Sequence, residues 1–321
     1  MPTTDVIPTT STPRTATPTT TPTTSRPRRT VLWLGPLLAG LATLIWSGNF
    51  VIARALSDEI PPIQTAFWRW AIALLALAPF AARGLWQHRS AIRAHAGYIT
   101  VVGLLGMTLF NTLIYIAGQT TSATNLALIA AASPVLIAVF AAVGGERLSR
   151  LRVAGMLLAL VGVVALVAKG SVTVLLGLDF AVGDLWMIAA MCTFAGYSAL
   201  LKRKPKEIPA VVFLAATVLF GLVMLLPAQL VSLAVEGGFS PTGGNLSALA
   251  YIGIASSALA FFVWNKAVEL IGATRAGVVY YLQPVCVAGL AYLAIGEAST
   301  LAQFACMGLI IAGVVLSSSR R

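Results

Sequence analysis

The residues of this chain that could do chemistry are polar and aromatic side chains set inside long apolar runs. Arg69 lies in TAFWRWAIALL, about seven residues into such a run, where a charge is costly unless it has a partner or water. Guanidinium geometry suits bidentate capture of a carboxylate, so Arg69 is a candidate anchor for an anionic group. The alternative is that Arg69 extends outward to polar surroundings or to Asp58 and Glu59.

Nine further side chains are candidates for a binding pocket because they are polar or aromatic and lie within predicted helices. They are Trp46, Asn49, Asn111, Tyr115, Tyr197, Asn265, Tyr280, Tyr281 and Gln283. Interhelical hydrogen bonding is the competing role for the amides Asn111, Asn265 and Gln283. Any single Trp or Tyr could instead pack in the core or anchor a helix at an interface.

Other kinds of site find little support in the sequence. The two histidines, His88 and His95, lie in one basic loop, and the three cysteines, Cys192, Cys286 and Cys306, have no metal-like spacing. No Asp or Glu lies at the centre of a predicted helix. We therefore expect no catalytic residues, no metal and no cofactor, and an intramembrane enzyme is the least favoured function.

The elements that carry these residues are transmembrane helices. Hydrophobic residues make up 58% of the chain and charged residues only 10%, with a mean hydropathy of +0.90. A bilayer core needs roughly 20 apolar residues per helix. After residue 30 the sequence predicts ten helices, at 31–53, 62–82, 98–118, 123–144, 153–169, 182–201, 208–230, 247–267, 273–294 and 300–318.

The positive charges predict how these helices are oriented. Residues 1–30 are nearly two thirds Thr and Pro, which predicts a disordered tail. With both termini in the cytoplasm of a plasma membrane protein, all of the 21 Lys and Arg residues except Arg54, Arg69 and Lys169 fall on the inner side or in the tail. The net charge of +11 therefore predicts topology, and no nucleic-acid partner is expected.

The sequence contains an internal repeat. ATNLALIAAASPVLIAVFAAVGGERLS (123–149) matches ATRAGVVYYLQPVCVAGLAYLAIGEAST (273–300), so that Pro134 corresponds to Pro284 and Glu146 to Glu297. The repeats span residues 31–169 and 182–318, with five predicted helices each. Because five is odd, the second repeat must enter the membrane in the opposite orientation, as in many secondary transporters.

Comparison of the two repeats helps to separate scaffold from site. Prolines, glycines and the two glutamates are shared, which favours a role in the fold. Arg69 corresponds to Ala216 and Asn111 to Phe261, which favours asymmetric roles such as substrate binding.

Pro134 and Pro284 lie near the predicted midplane and deprive the carbonyls of Ala130 and Tyr280 of their intrahelical donor. They are either cavity-lining kinks or ordinary kinks repacked by neighbouring helices. Glu146 and Glu297, at helix ends, are expected to cap the next helix or to gate access, with ion coupling less favoured.

The whole pattern resembles the EamA family of the drug/metabolite transporter superfamily. WSGNF in the first helix, Arg69, the two mid-helix prolines, GGERLS and GEAST carry the resemblance over residues 31–318. CTFAGY in the sixth helix departs from the family's usual Trp-Ala pair, and the Thr/Pro tail is not part of the family pattern. The resemblance implies two five-helix halves around a central cavity and transport of small metabolites, several relatives being amino-acid exporters.

The expected function is therefore a membrane transporter of small metabolites, such as amino acids or related organic solutes. Export by alternating access through a central cavity is the expected mechanism, with a substrate that could bear a carboxylate and the lipid bilayer as partners. A lipid flippase or a membrane scaffold without transport activity is the alternative.

Overall fold

The structure of the chain is a computed structural model. It describes residues 29–56, 59–121, 126, 129–168, 173, 176–177, 181–295 and 301–318. Apart from Arg29 and Thr30, the tail that the sequence predicts to be disordered lies outside this range. Within the described residues the chain is helical and contains no strand.

The main helices follow the predicted apolar runs. We label them α1 (Arg29–Leu56), α2 (Pro62–Gln87), α3 (Ala96–Thr120), α4 (Ser133–Val143), α5 (Arg150–Val167), α6 (Val182–Leu200), α7 (Ala210–Glu236), α8 (Gly243–Ile271), α9 (Ala273–Tyr280 and Gln283–Ile295) and α10 (Leu301–Ser318). A short helix, Arg89–Ala94, connects α2 to α3. α2 extends five residues beyond its predicted end, over RGLWQ, and α7 extends six, over VSLAVE.

Six of the described helices are long and apolar enough to cross a membrane, namely α2, α3, α5, α6, α7 and α8. Three further apolar segments are shorter: Trp33–Gly48, Ser133–Val143 and Gln303–Ser317.

Local sequence sets several helix ends. α2 begins at Pro62, where a missing N–H costs nothing, and α7 and α8 are followed by Gly237 and Gly272 with φ of +75° and +83°.

The helices are interrupted at equivalent positions of the two repeats. α3 contains a π-helical segment at Leu104–Leu109, and α8 contains one at Tyr251–Leu259. α9 is broken by a turn at residues 281–282, and the same kind of turn at residues 131–132 precedes α4. Each interruption in the second repeat lies about 150 residues after its counterpart in the first.

Helix packing follows a reciprocal pattern. α1 packs on α8 and α9, whereas α6 packs on α3 and α4. α2 packs on α8, and α7 packs on α3. The remaining large contacts join equivalent helices: α2 with α7, α4 with α9 and α5 with α10. Exchanging the two sets of five helices therefore reproduces the same list of contacts.

Glycines allow the closest of these contacts. A Cβ on Gly103 of α3 would lie 2.7 Å from the Thr217 carbonyl oxygen of α7, and one on Gly253 of α8 would lie 3.1 Å from the Arg69 carbonyl oxygen of α2. A Cβ on Gly313 of α10 would lie 2.5 Å from the amide nitrogen of Ala159 in α5. Small residues at these positions allow helix backbones to approach closely, as in many membrane proteins.

One end of the bundle collects basic residues and their partners. Lys204 Nζ lies 3.9 Å and Lys266 Nζ 3.3 Å from the carboxylate of Glu269. His95 Nε2 lies 2.7 Å from Glu207 Oε1, joining the start of α3 to the loop before α7. A backbone hydrogen bond at Glu207, and then its contact with His95, hold the pKa of the Glu207 carboxyl below its usual range.

Candidate functional site

An aromatic cluster occupies the middle of the bundle, with Trp46 of α1 at its centre. The Trp46 ring lies 5.3 to 6.0 Å from four other rings, those of Phe194 in α6, Phe261 and Trp264 in α8, and Tyr280 in α9. All five side chains are buried. The cluster therefore draws on both sequence repeats and joins four helices.

Arg69 of α2 lies beside this cluster and is only 1% exposed. Its Nε donates to Ser257 Oγ at 2.5 Å, Nη1 donates to Tyr115 Oη at 3.1 Å, and Nη2 donates to the Ser256 carbonyl at 3.2 Å. Its guanidinium also lies 5.5 Å from the centre of the Trp70 ring. The side chain thus points into the bundle, which disagrees with the alternative that Arg69 extends outward.

The π-helical segment of α8 supplies two of the acceptors that Arg69 uses. The Ser256 carbonyl accepts from both Trp46 Nε1, at 2.9 Å, and Arg69 Nη2. Ser257 Oγ donates to the Ile252 carbonyl, five residues earlier, at 2.7 Å while it accepts from Arg69. Because π turns interrupt regular i to i−4 bonding, a carbonyl there can serve side chains from other helices. α1, α2 and α8 are joined at this point.

Several buried N–H groups near the cluster lack a hydrogen-bond acceptor among the described residues. They are Trp70 Nε1, Asn111 Nδ2, Asn265 Nδ2 and Gln283 Nε2. Asn111 lies one helical turn from Tyr115, and Ser47, the neighbour of Trp46, donates to the Gln283 carbonyl at 3.3 Å. Buried donors without acceptors are costly. The arrangement suits a ligand that carries acceptor oxygens.

Eight of the ten predicted pocket residues come together in this region. Tyr197 Oη donates to Asn265 Oδ1 at 2.6 Å, so α6 and α8 are hydrogen-bonded here. The others in the region are Trp46, Arg69, Asn111, Tyr115, Tyr280 and Gln283.

Tyr281 lies elsewhere. It belongs to a second buried cluster with residues of α4, α5 and α10, such as Ala138, Met156 and Ile310. Asn49 lies in α1, but its side chain is outside the described part of the structure. We therefore do not place Tyr281 in the central cluster.

The two prolines lie immediately after helix breaks. In the first repeat the Ala130 carbonyl, which loses its usual donor because residue 134 is proline, accepts from Ser133 Oγ at 2.6 Å. In the second, α9 restarts at Gln283, directly before Pro284. The breaks place Tyr280 in contact with Trp46. Pro134 and Pro284 therefore lie in the first turn of the helical segments that follow the two breaks, where a missing N–H costs little.

Glu146 lies just after α4 and contacts α5, and it lies near Gly272, the residue that follows α8. Its Oε1 is 3.6 Å from Arg152 Nη1, and a Cβ on Gly272 would lie 3.6 Å from its Oε2. The cap of α5 is Ser149, whose hydroxyl accepts from the amide of Arg152 at 3.2 Å. Glu297, its partner in the repeat, lies outside the described residues.

Sequence reasoning missed four contributors to the site. Phe194 lies in CTFAGY, the segment that departs from the family pattern, and its ring stacks on Phe110 at 4.6 Å. Trp264 contacts Trp46, while Ser256 and Ser257 bind Arg69. The helical spacing of 257, 261, 264 and 265 along α8 would have placed two of them, Ser257 and Trp264, on the face of Asn265.

No group of three or more His, Cys, Asp or Glu side chains that could hold a metal ion occurs within the described ranges. Cys192, Cys286 and Cys306 are all free thiols and half-buried. The chemistry of the central cluster is accordingly that of aromatic rings, amides, hydroxyls and one guanidinium.

Comparison with known proteins gives a consistent result. The chain matches the EamA-like transporter family over residues 33–168 and again over 181–319. It is 31% identical over 295 residues to an uncharacterized transporter of Archaeoglobus fulgidus, covering 89% of this chain and 97% of that protein. It is 26% identical to a protein of Salmonella typhimurium named probable amino-acid metabolite efflux pump, covering 87% and 93%. A solved crystal structure superposes with a TM-score of 0.72 and 25% identity, covering 88% and 95% of the two chains.

Proposed function

The chain belongs to the EamA-like transporter family, and from that premise we propose that it carries small metabolites across the plasma membrane. Amino acids or related organic solutes are the proposed substrates, and export is the proposed direction. The relative of Salmonella typhimurium that is named an amino-acid metabolite efflux pump supports this choice.

The proposed architecture is ten transmembrane helices arranged as two inverted five-helix repeats, residues 31–169 and 182–318. The duplicated family match, the reciprocal packing and the paired helix interruptions support it. An in-plane pseudo-twofold axis relates such repeats, and rocking of one half against the other alternates access to a site between them. The basic end formed by Lys204, Lys266 and Arg203 is proposed to face the cytoplasm, as are both termini.

The observation that carries the proposal is a buried cluster of aromatic rings from both repeats, with Arg69 beside it and nearby N–H donors that have no acceptor among the described residues. Transporter sites of inverted repeats lie near the midplane between the halves. Trp46 and its ring neighbours would contact the apolar part of a substrate. Arg69, Asn111 and Tyr115 would bind an acceptor group such as a carboxylate.

The helix breaks and the glutamates complete the mechanism. Pro134 and Pro284 are the proposed hinges, because the helices they interrupt pack together and one of them contacts Trp46. Glu146 is proposed to gate or brace the end of the bundle through Arg152, and Glu297 is proposed to act likewise in the second repeat.

The test is counterflow in proteoliposomes. Purified full-length protein is reconstituted with a panel of unlabelled amino acids, organic acids and amines inside, and uptake of labelled substrate is measured with and without a pH gradient. Accelerated exchange of at least one small metabolite, lost in a Trp46→Ala variant, is the expected result. Failure of every metabolite to move, together with scrambling of labelled lipid, would replace transport of metabolites by lipid flipping.

A further inference from the structure

A polar cluster lies away from the central site, where the start of α2 meets the end of α7. Gln64 of α2 is fully buried, and Gln229 and Ser232 of α7 are 2% and 4% exposed. Gln64 Nε2 donates to Ser232 Oγ at 3.2 Å and to the Gly237 carbonyl at 2.7 Å. Ser232 Oγ in turn donates to Glu236 Oε2. Gln229, Ser232 and Glu236 are at positions i, i+3 and i+7 of α7, so they lie on one face of that helix.

Two oxygens in this cluster have no donor among the described residues. They are Gln64 Oε1 and Gln229 Oε1. A buried amide oxygen without a donor is costly in protein and more so at membrane depth. Gln64 is hydrogen-bonded to Ser232, and Gln229 lies one helical turn from that serine, so both glutamine side chains belong to the same corner. They require a positively charged or hydrogen-bond-donating occupant.

Helix packing alone does not explain these polar residues. α2 and α7 run antiparallel, so their other ends also meet, and there a Cβ on Gly84 would contact the Val212 side chain at 2.4 Å. Exchanging the two repeats maps the polar end of the helix pair onto this other end. The contact there, between Gly84 and Val212, is apolar. The close packing of α2 and α7 at that end therefore does not use buried amides.

The local electrostatics favour a cation. The carbonyl end of a helix carries partial negative charge, and the cluster is built on the last two turns of α7. Glu236 adds a full negative charge and is exposed, so an ion can approach from solvent. Glu59, which precedes α2, is exposed on the same end of that helix.

We propose that this corner binds one Na⁺ ion through Gln64 Oε1, Gln229 Oε1 and the carboxylate of Glu236, with water completing the shell. Ser232 is a positioning residue, because it contacts both Gln64 and Glu236. An all-oxygen site suits a hard cation, and one carboxylate balances a single charge, whereas calcium sites usually draw on several carboxylates. The site is separate from the central cluster and does not depend on the proposed substrate.

The test measures ion binding without substrate. Thermal unfolding of the purified full-length protein in detergent is followed while NaCl replaces choline chloride at constant ionic strength, with KCl as a second series. Because a ligand that binds only the native state stabilises it, a saturable rise of Tm with Na⁺ is expected. An equal response to Na⁺, K⁺ and choline would overturn the proposal, as would no response to Na⁺.

Variants locate the site. Gln229→Leu and Glu236→Gln should each raise the half-saturating Na⁺ concentration by about tenfold, equivalent to one lost ion–dipole or ion–charge contact. Gln119→Leu, the same change at an exposed glutamine of α3, is the control and should leave the Na⁺ response unchanged. Glu236 is exposed, so its variant should fold even where Gln229→Leu does not. An unaltered Na⁺ response in folded Glu236→Gln would refute the assignment.

Discussion

Replacing Arg69 by Gln tests the central site most directly. In the structure this guanidinium holds together Ser257, Tyr115 and the Ser256 carbonyl, and it is 1% exposed. Gln keeps a polar amide of moderate length but removes the positive charge. If the carboxylate of a substrate binds beside Asn111 and Tyr115, its attraction to Arg69 is lost.

The size of the effect follows from the geometry. Asn111 lies one turn from Tyr115, whose hydroxyl contacts Arg69. We take a ligand carboxylate about 5 Å from the guanidinium, a distance of the order of one helical turn. At an effective dielectric constant of about 20, two unit charges at that distance attract by about 3 kcal/mol. Because about 1.4 kcal/mol is a factor of ten, binding of a carboxylate should weaken by roughly 100-fold.

The assay is proteoliposome counterflow with paired substrates, one bearing a carboxylate and one in which that group is an amide. Arg69→Gln should raise the half-saturating concentration of the carboxylate by roughly 100-fold and that of the amide by less than about tenfold. Arg83→Gln, the same change at an exposed residue of α2, should affect neither substrate.

Monodispersity and thermal unfolding of the Arg69→Gln protein establish that it is folded. Transport of both substrates by folded Arg69→Gln as by the wild type would contradict a role for Arg69 in binding the carboxylate. An equal loss of affinity for both substrates would also contradict that role, because Arg69 would then serve only to join α2 to α8. Arg69→Lys should restore part of the carboxylate affinity, since the charge remains but the planar fork does not.

Three further predictions concern the scaffold. Gly313→Ala should lower the thermal unfolding temperature, because the added Cβ lies 2.5 Å from backbone of α5, whereas Gly308→Ala, with nothing within 4 Å, should not. Pro134→Ala and Pro284→Ala should each slow counterflow several-fold without lowering the unfolding temperature, because restoring the N–H favours a straighter helix. Unchanged counterflow rates would mean that the breaks are not hinges. Ser149→Ala should cost about 1 kcal/mol in a denaturant titration, as expected for the loss of an N-cap, and no loss would show that the cap is dispensable.

Much of the architecture could be predicted from local sequence. Apolar runs of membrane length predict helices wherever they occur, because backbone groups in lipid must be satisfied within the segment. Pro134 and Pro284 predict interruptions because they lack an N–H, and the structure shows a turn that ends two residues before each of them. Pro79 and Pro227, in contrast, lie within unbroken helices. The resemblance to the EamA family is confirmed by the match to both repeats.

The site could be predicted only in part. Polar residues in apolar helices are costly, so Arg69 and Asn111 stood out as candidates from their surroundings alone. Phe194, Ser256 and Ser257 did not, because aromatic and hydroxyl side chains are ordinary in membrane helices. Tyr281 was a candidate by depth and chemistry, but the structure turns it toward α5 and α10.

The sequence by itself determined which segments are apolar enough to be helices, the breaks near Pro134 and Pro284, and which residues are too polar for an apolar run, since each depends on local composition and backbone chemistry. Only the tertiary structure decided which of those residues meet. Arg69 finds its acceptors 187 and 188 residues away, on a π-helical turn of α8 that no local pattern announces. Such pairings depend on the rotation and depth of one helix against another, and these are set by the packing of all the helices together.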